Sequence, residues 1–249
     1  MRYFAELAYK GTDFFGWQIQ PEQISVQETI QSTFSTILRT PIEVVGCGRT
    51  DTGVHASQYY LHFDFDGEFP QHFLSRVNKF LPPSIAIFRI FPVAEEAHAR
   101  FDAFHRAYEY RMHFQKDPFK KEISYFYPFP KRPDIDKMQA AAKLLLDYED
   151  FFPFCKTHHD AQTYKCDLNR SEWVADADGL SLSYHIAANR FLRGMVRLIV
   201  GMCINVGTGK LELDTVRRAM DEQSRLERST SAPPEGLYLR DIRYPFLNG

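Results

Sequence analysis

Strand-like alternation and helix-like spacing interleave along the sequence in the order strand, helix, strand, strand, helix, strand, and that order occurs twice over 249 residues. Two of the helical stretches open on capping residues, Ser25 and Asp134, and no Gly/Ser-rich linker separates the two copies. These three observations predict an α+β fold: two ferredoxin-like halves with antiparallel sheets joined into one mixed core. The expected boundary lies near residue 104, giving 1–104 to the first half and 105–249 to the second.

In the first half, residues 2–9 alternate as a strand. Ser25, with Glu28 three positions on, forms a capping box, and Val26, Ile30, Phe34 and Ile37 follow on one helical face. That helix is expected to end near Arg39, ahead of Pro41. Residues 42–45 read as a short buried strand, 58–65 as an alternating one, 73–81 as a helix and 85–91 as the closing strand. In the second half, 106–114 alternates, Asp134 caps a helix through Leu146, and strands at 171–177 and 180–187 flank the hairpin signal Asp178-Gly179. Residues 191–206 read as a long apolar helix, with Gly207-Thr208-Gly209-Lys210 as its C-cap. A helix over 213–220 and a strand over 237–244 complete the plan. Residues 117–133, with Phe119, Tyr125, Phe126, Tyr127 and Phe129 among four prolines, read as a long ordered loop held down by its rings.

A composition of 44% hydrophobic and 25% charged residues describes a globular chain and excludes a disordered one. Glu6 interrupts what a signal peptide needs as an apolar run, and the apolar stretch 198–206 is too short to span a bilayer, so a cytoplasmic protein is expected. Cys47, Cys155, Cys166 and Cys203 have no paired spacing, as expected of reduced thiols. The net charge of −2 gives no global sign of a nucleic-acid binder. It averages over two basic stretches, however. Residues 189–210 hold Arg190, Arg193, Arg197 and Lys210 with no acidic residue, and residues 100–121 hold six basic residues against three acidic. Sheets of the expected type carry RNA in other proteins by stacking bases on aromatic residues, which makes nucleic acid a candidate partner.

The stretch GCGRTDTGVHA, residues 46–56, imitates several motifs. Gly46-Cys47-Gly48 opens like a dinucleotide fingerprint, but Asp51 stands at the third glycine position. Gly48 and Gly53 have phosphate-loop spacing, but Val54-His55 replace the Lys and Ser/Thr. Asp51-Thr52-Gly53 spells the aspartic-protease triplet, which needs a second copy that the chain lacks. Cys155, His158, His159 and Cys166 match no common zinc spacing, so no metal is expected. What remains is one carboxylate, Asp51, in a turn of small residues near Arg49 and His55. A guanidinium neighbour favours the carboxylate over the acid, which suits a nucleophile; the plainer alternative is a local Asx-turn residue.

Residues 48–56 resemble the G-R-T-D-x-G-V-H-A signature of the tRNA pseudouridine synthase A family. Residues 9–18, Tyr-Lys-Gly-Thr-Asp-Phe-Phe-Gly-Trp-Gln, resemble the family's Y-D-G-T-x-F-x-G-W-Q, with Lys10 in place of Asp. Ala99-Arg100-Phe101-Asp102-Ala103 with Arg106-Ala107-Tyr108-Glu109-Tyr110, then Phe191-Leu192-Arg193-Gly194-Met195-Val196-Arg197, then Gly236-Leu237-Tyr238-Leu239 resemble three further family motifs in the same order. The resemblance implies the pseudouridine synthase fold and an isomerase that needs no cofactor. It also implies a homodimer that converts uridine to pseudouridine at positions 38, 39 and 40 of the tRNA anticodon stem-loop, with the target base flipped out of the stem. By the same resemblance Asp51 is the nucleophile, Arg49 displaces or replaces the target base, Tyr108 stacks on the uracil, Arg197 pairs with Asp51, and Leu237 belongs to the substrate site. Of the two tyrosines, Tyr108 is expected in the site and Tyr110 in the interior. Glu109 stands where many relatives have a basic residue and is not counted as a phosphate contact.

Overall fold

The computed structural model describes residues 1–156 and 163–247. The chain divides into two compact units, Met1–Phe104 together with the segment from Tyr238 onward, and His105–Leu237. Among the described residues no helix is long and apolar enough to cross a membrane.

The first unit contains β1 (Arg2–Tyr9), α1 (Val26–Leu38), β2 (Val45–Gly46), β3 (His55–Asp64), α2 (Phe73–Phe80) and β4 (Ile85–Val93). Strand β1 lies between β4 and β3, antiparallel to both, and β2 pairs antiparallel with β3 on the edge opposite β1. Ser25 caps α1 by accepting the Glu28 amide at 3.2 Å, and Arg39 ends the helix in the left-handed conformation. The strand expected at 42–45 is shorter and later. Ile42 and Val44 point inward, but side chains of α1 take the hydrogen bonds a ladder would supply. Ser35 Oγ accepts the Ile42 amide at 2.9 Å, Gln31 Oε1 accepts the Val44 amide at 3.3 Å, and Gln27 Nε2 donates to the Val44 carbonyl at 2.8 Å.

The expected alternation of β3 between core and solvent is not found. Phe63 packs edge-on against Phe34 of α1, so the odd residues face the helices as the pattern requires. On the other face Tyr60 and His62 are covered too: Tyr60 meets the Tyr244 ring, and His62 Nδ1 accepts the Ala99 amide at 3.1 Å. The Tyr244 hydroxyl donates to the Ala99 carbonyl at 2.6 Å, closing this second layer. Strand β9 (Leu237–Arg243) delivers Tyr244, and its residues Tyr238 and Leu239 pair in parallel with His55 and Ala56 of β3.

The second unit follows the expected order from its first strand to its second helix, with a short extra strand and an extra helix, while the closing strand β9 lies from Tyr238 onward in the first unit. It contains β5 (His105–His113), a short β6 (Tyr125–Phe126), α3 (Ile135–Leu144), β7 (Leu168–Ala175), β8 (Ser181–Ala188), α4 (Met195–Gly207) and α5 (Leu213–Asp221). Strand β8 is central, antiparallel to β5 and β7, and β6 adds to β5 in parallel. Gly179, at φ +63°, closes the β7–β8 hairpin. Asp134 caps α3 by accepting the Lys137 amide at 3.1 Å, and the α-helix gives way to a 3₁₀ turn at Leu145–Asp147. Ser171 Oγ on β7 donates to the Ala142 carbonyl at 2.7 Å and meets the Tyr184 hydroxyl at 2.7 Å, which ties α3 to the sheet.

Two expectations in this unit are corrected. The apolar helix does not begin at 191: Gly194, at φ +72°, is its N-cap and Met195 its first residue, which leaves Arg190 and Arg193 on the preceding loop. The loop at 117–133 is only partly held by its rings. Tyr127 sits between Tyr125, Phe114 and Phe129, and β6 anchors the chain, but Phe119 is 90% exposed at the tip. The C-cap over 207–210 is present, with Gly209 left-handed and the Lys210 amide donating to the Asn205 carbonyl at 2.9 Å.

Candidate active site

The Asp51 turn hangs between β2 and β3 and is held from three sides within the first unit. The Cys47 amide donates to the Tyr60 carbonyl at 2.9 Å, and the buried Tyr59 hydroxyl donates to the Gly48 carbonyl at 2.5 Å, fixing the start of the turn. The Trp17 amide donates to the Thr50 carbonyl at 3.2 Å, and the Tyr9 hydroxyl meets Thr50 Oγ1 at 2.8 Å, fixing its middle. The Val54 amide donates to the Asp51 carbonyl at 3.1 Å and the Gly53 amide to the Phe14 carbonyl at 3.4 Å, fixing its end. Asp51 is half-buried, Arg49 is exposed on the same turn, and His55 is buried.

Residues 9–18 thereby acquire a physical role that the sequence did not disclose. Gly16 is left-handed at φ +88°, and a Cβ there would lie 2.4 Å from the Thr50 carbonyl oxygen. A Cβ on Gly11 would lie 2.0 Å from the Val54 carbonyl oxygen, and the Gly11 amide donates to His55 Nδ1 at 3.0 Å. Both glycines are therefore places where two backbones approach closer than a side chain permits. Trp17 stacks on Tyr59 with centroids 4.2 Å apart, sealing the base of the turn with aromatic area. His55 is part of this frame: its ring lies 4.6 Å from Tyr238, and Nδ1 acts as an acceptor for backbone.

In the second unit, Tyr108 and Tyr110 lie two residues apart on one face of β5, so strand alternation does not separate them. Position along the strand does. Tyr110 is fully buried and donates its hydroxyl to the Pro233 carbonyl at 2.9 Å. Tyr108 is partly exposed, with Phe191 edge-on at 5.1 Å. Glu109 accepts from Arg111 Nε at 3.0 Å and Nη2 at 3.1 Å, and is satisfied within the protein.

Arg197 stands in the first turn of α4, where a cation opposes the helix macrodipole, so helix stability does not explain its presence there. Its Nε donates to the Ala232 carbonyl at 2.7 Å. Leu237 is buried at the start of β9, after a 3₁₀ turn in which Gly236 has no room for a Cβ: it would lie 2.6 Å from the Arg111 carbonyl oxygen. The segment before Leu237 thus touches both Arg197, through Ala232, and Tyr110, through Pro233. Of the remaining cations, Arg106 donates to the Asn189 carbonyl at 3.1 Å, and Arg193 is exposed.

Among the described residues no group of three or more His, Cys, Asp or Glu is placed to hold a metal ion. His158 and His159 lie outside the described residues, while Cys155 and Cys166 are buried.

Two comparisons with known proteins bear on this arrangement. The family model described as tRNA pseudouridine synthase matches residues 141–245. Along nearly its whole length the chain is similar to the tRNA pseudouridine synthase A of Parabacteroides distasonis, with 42% identity over 246 residues covering 98% of this chain and 96% of the relative. The same-named protein of Bacteroides fragilis is 43% identical over 247 residues, covering 98% and 96%. That of Staphylococcus aureus strain MRSA252 is 34% identical over 245 residues, covering 97% and 91%.

Proposed function

The chain belongs to the tRNA pseudouridine synthase A family and is a pseudouridine-forming isomerase of tRNA; from that premise we propose that Asp51 is its nucleophile, acting on uridines 38, 39 and 40 of the anticodon stem-loop. The observation that carries this reading is the construction of the Asp51 turn. Two glycines without room for a Cβ, a buried tyrosine hydroxyl and a stacked tryptophan all serve to hold one half-buried carboxylate in place. A solvated Asx-turn residue needs none of that support.

Asp51 attacks the ribose C1′ or the uracil ring, the glycosidic bond breaks, the base turns over, and C5 is joined to C1′. The C5 hydrogen leaves to water and N1 takes up a proton, so uridine and product are isomers. Uracil is both leaving group and returning nucleophile, and no cofactor is required. The chemistry needs a carboxylate close to the sugar, and Arg197 supplies the charge-assisted partner that aims Asp51.

A uridine in a stem is out of reach until it is flipped out, at a cost of a few kcal/mol. Tyr108 offsets part of that by stacking on the uracil, worth about 1 to 3 kcal/mol, with Leu237 against the base and Arg49 filling the vacated place. Arg190 and Arg193 contact phosphates. A net charge of −2 gives each chain a weak electrostatic hold on RNA, which favours a homodimer sharing one tRNA-binding cleft, in the cytoplasm.

The test is tritium release. With tRNA labelled at C5 of uracil, the protein is expected to transfer label to water in step with product formation. Tight tRNA binding without label release would leave an RNA-binding module and remove the enzyme reading.

A further inference from the structure

We propose that residues 228–236, the strap between α5 and β9, set the direction of the Arg197 guanidinium, and that Asn205 and Gly201 are the positioning residues that hold this strap against α4. The proposal rests on the assignment of Arg197 to the active site.

Arg197, Gly201 and Asn205 are spaced at i, i+4 and i+8, so they form one stripe along α4. Opposite them stand Ala232, Thr230 and Arg228, each two residues apart. Arg197 Nε donates to the Ala232 carbonyl at 2.7 Å, and the Ala232 amide donates back to the Arg197 carbonyl at 2.9 Å. At the middle rung, a Cβ on Gly201 would lie 1.8 Å from the Thr230 carbonyl oxygen, so only glycine permits the strap to come this close. At the third rung, Asn205 Nδ2 donates to the Arg228 carbonyl at 3.0 Å and to Thr230 Oγ1 at 3.2 Å.

The match is a consequence of geometry. Four residues of α-helix rise about 6 Å, and two residues of extended chain span at most about 6.6 Å, so contacts at every fourth helix residue and every second strap residue, running antiparallel, stay in step for three rungs. The strap has no strand partner along this stretch, and its far end is secured by the Tyr110 hydroxyl on the Pro233 carbonyl at 2.9 Å. An irregular segment anchored at both ends and in the middle is a template for whatever it touches between them.

It touches the guanidinium at Nε. Arginine carries five N–H donors in one rigid plane, so fixing Nε to a carbonyl fixes that plane and the direction of the two Nη groups. A carboxylate partner needs that direction held within roughly 10 to 20°. The first rung supplies it, and the two lower rungs keep the first in place.

The experiment compares Asn205→Ala, which deletes two strap bonds without adding bulk, in the full chain and in an Arg197→Ala background, by single-turnover tritium release on tRNA. In the otherwise unchanged chain the rate is expected to fall about ten- to a hundredfold, as for a small misplacement of a reacting group, with tRNA affinity and melting temperature nearly unchanged. In the Arg197→Ala background Asn205→Ala is expected to cost nothing further, because the residue it positions is gone. Thr230→Val, which removes one of the two bonds at constant shape, is expected to give a smaller fall of the same kind, and stands in if Asn205→Ala does not fold. A wild-type rate for Asn205→Ala, or an equal loss in both backgrounds, overturns the strap's role while leaving that of Arg197 intact. A wild-type rate for Arg197→Ala alone overturns the assignment of Arg197 and this inference with it.

Discussion

The Trp17 amide donates to the Thr50 carbonyl at 3.2 Å, so the segment before α1 and the turn that carries Asp51 form one piece of structure. The residue that allows it is Gly16, left-handed and 2.4 Å, measured from a would-be Cβ, from that same carbonyl oxygen. Gly16→Ala is expected to cost at least about 1 kcal/mol from the backbone alone and to shift the Thr50–Asp51 peptide, lowering both melting temperature and turnover. Melting and turnover equal to wild type would show that the turn does not depend on this approach.

Tyr59→Phe tests the other side of the same turn. It keeps the ring stacked on Trp17 and removes only the hydroxyl that donates to the Gly48 carbonyl at 2.5 Å. The expected loss is about 1 to 2 kcal/mol in urea unfolding, with turnover falling as the turn loosens. A stability change within experimental error would mean that water replaces this hydroxyl without consequence.

The Asp51 turn was legible because its signal is local: small residues around one carboxylate, with an arginine two positions before it. Its support was not, because Gly11, Gly16 and Trp17 meet the turn from more than thirty residues away and only contact explains them. The same holds for β3, whose second face is covered by Ala99 and Tyr244, so an alternating pattern gave way to burial on both sides. The start of α4 was misplaced for a local reason, since Gly194 breaks an apolar run that reads as continuous helix. Gly201 within that run looks like a packing detail until the Thr230 carbonyl is seen against it.

His62 makes stability depend on pH. Burial, then the charges of Arg2 and His98, hold its pKa down to about 4 from an ordinary 6.5, against the opposing pull of Asp64 and Asp102. Nδ1 accepts the Ala99 amide. Because the folded value is depressed, the unfolded chain takes up the proton first. The stabilisation is complete above pH 6.5 and drains as pH falls toward about 4, by up to roughly 3 kcal/mol. Urea midpoints measured across this window should drop on the acid side, and His62→Gln should flatten the slope. A pH-independent midpoint for the unsubstituted protein would contradict the assignment.

The thiols are expected to be inert in the folded protein. Burial pushes Cys203 up to about 12 and Cys166 up to about 11, so neither presents a thiolate near neutral pH. Iodoacetamide on the native protein should leave both unmodified by mass spectrometry and leave turnover unchanged, with labelling only after denaturation. Rapid labelling of Cys203 in the native protein would show that α4 opens readily.

As proposed, the Asp51 carboxylate makes the first bond to the substrate. Single-turnover release of tritium from C5-labelled tRNA by Asp51→Asn, measured beside its tRNA affinity, addresses that step most directly. The expected result is no detectable release with affinity within a few-fold of wild type; release at a substantial fraction of the wild-type rate would contradict it.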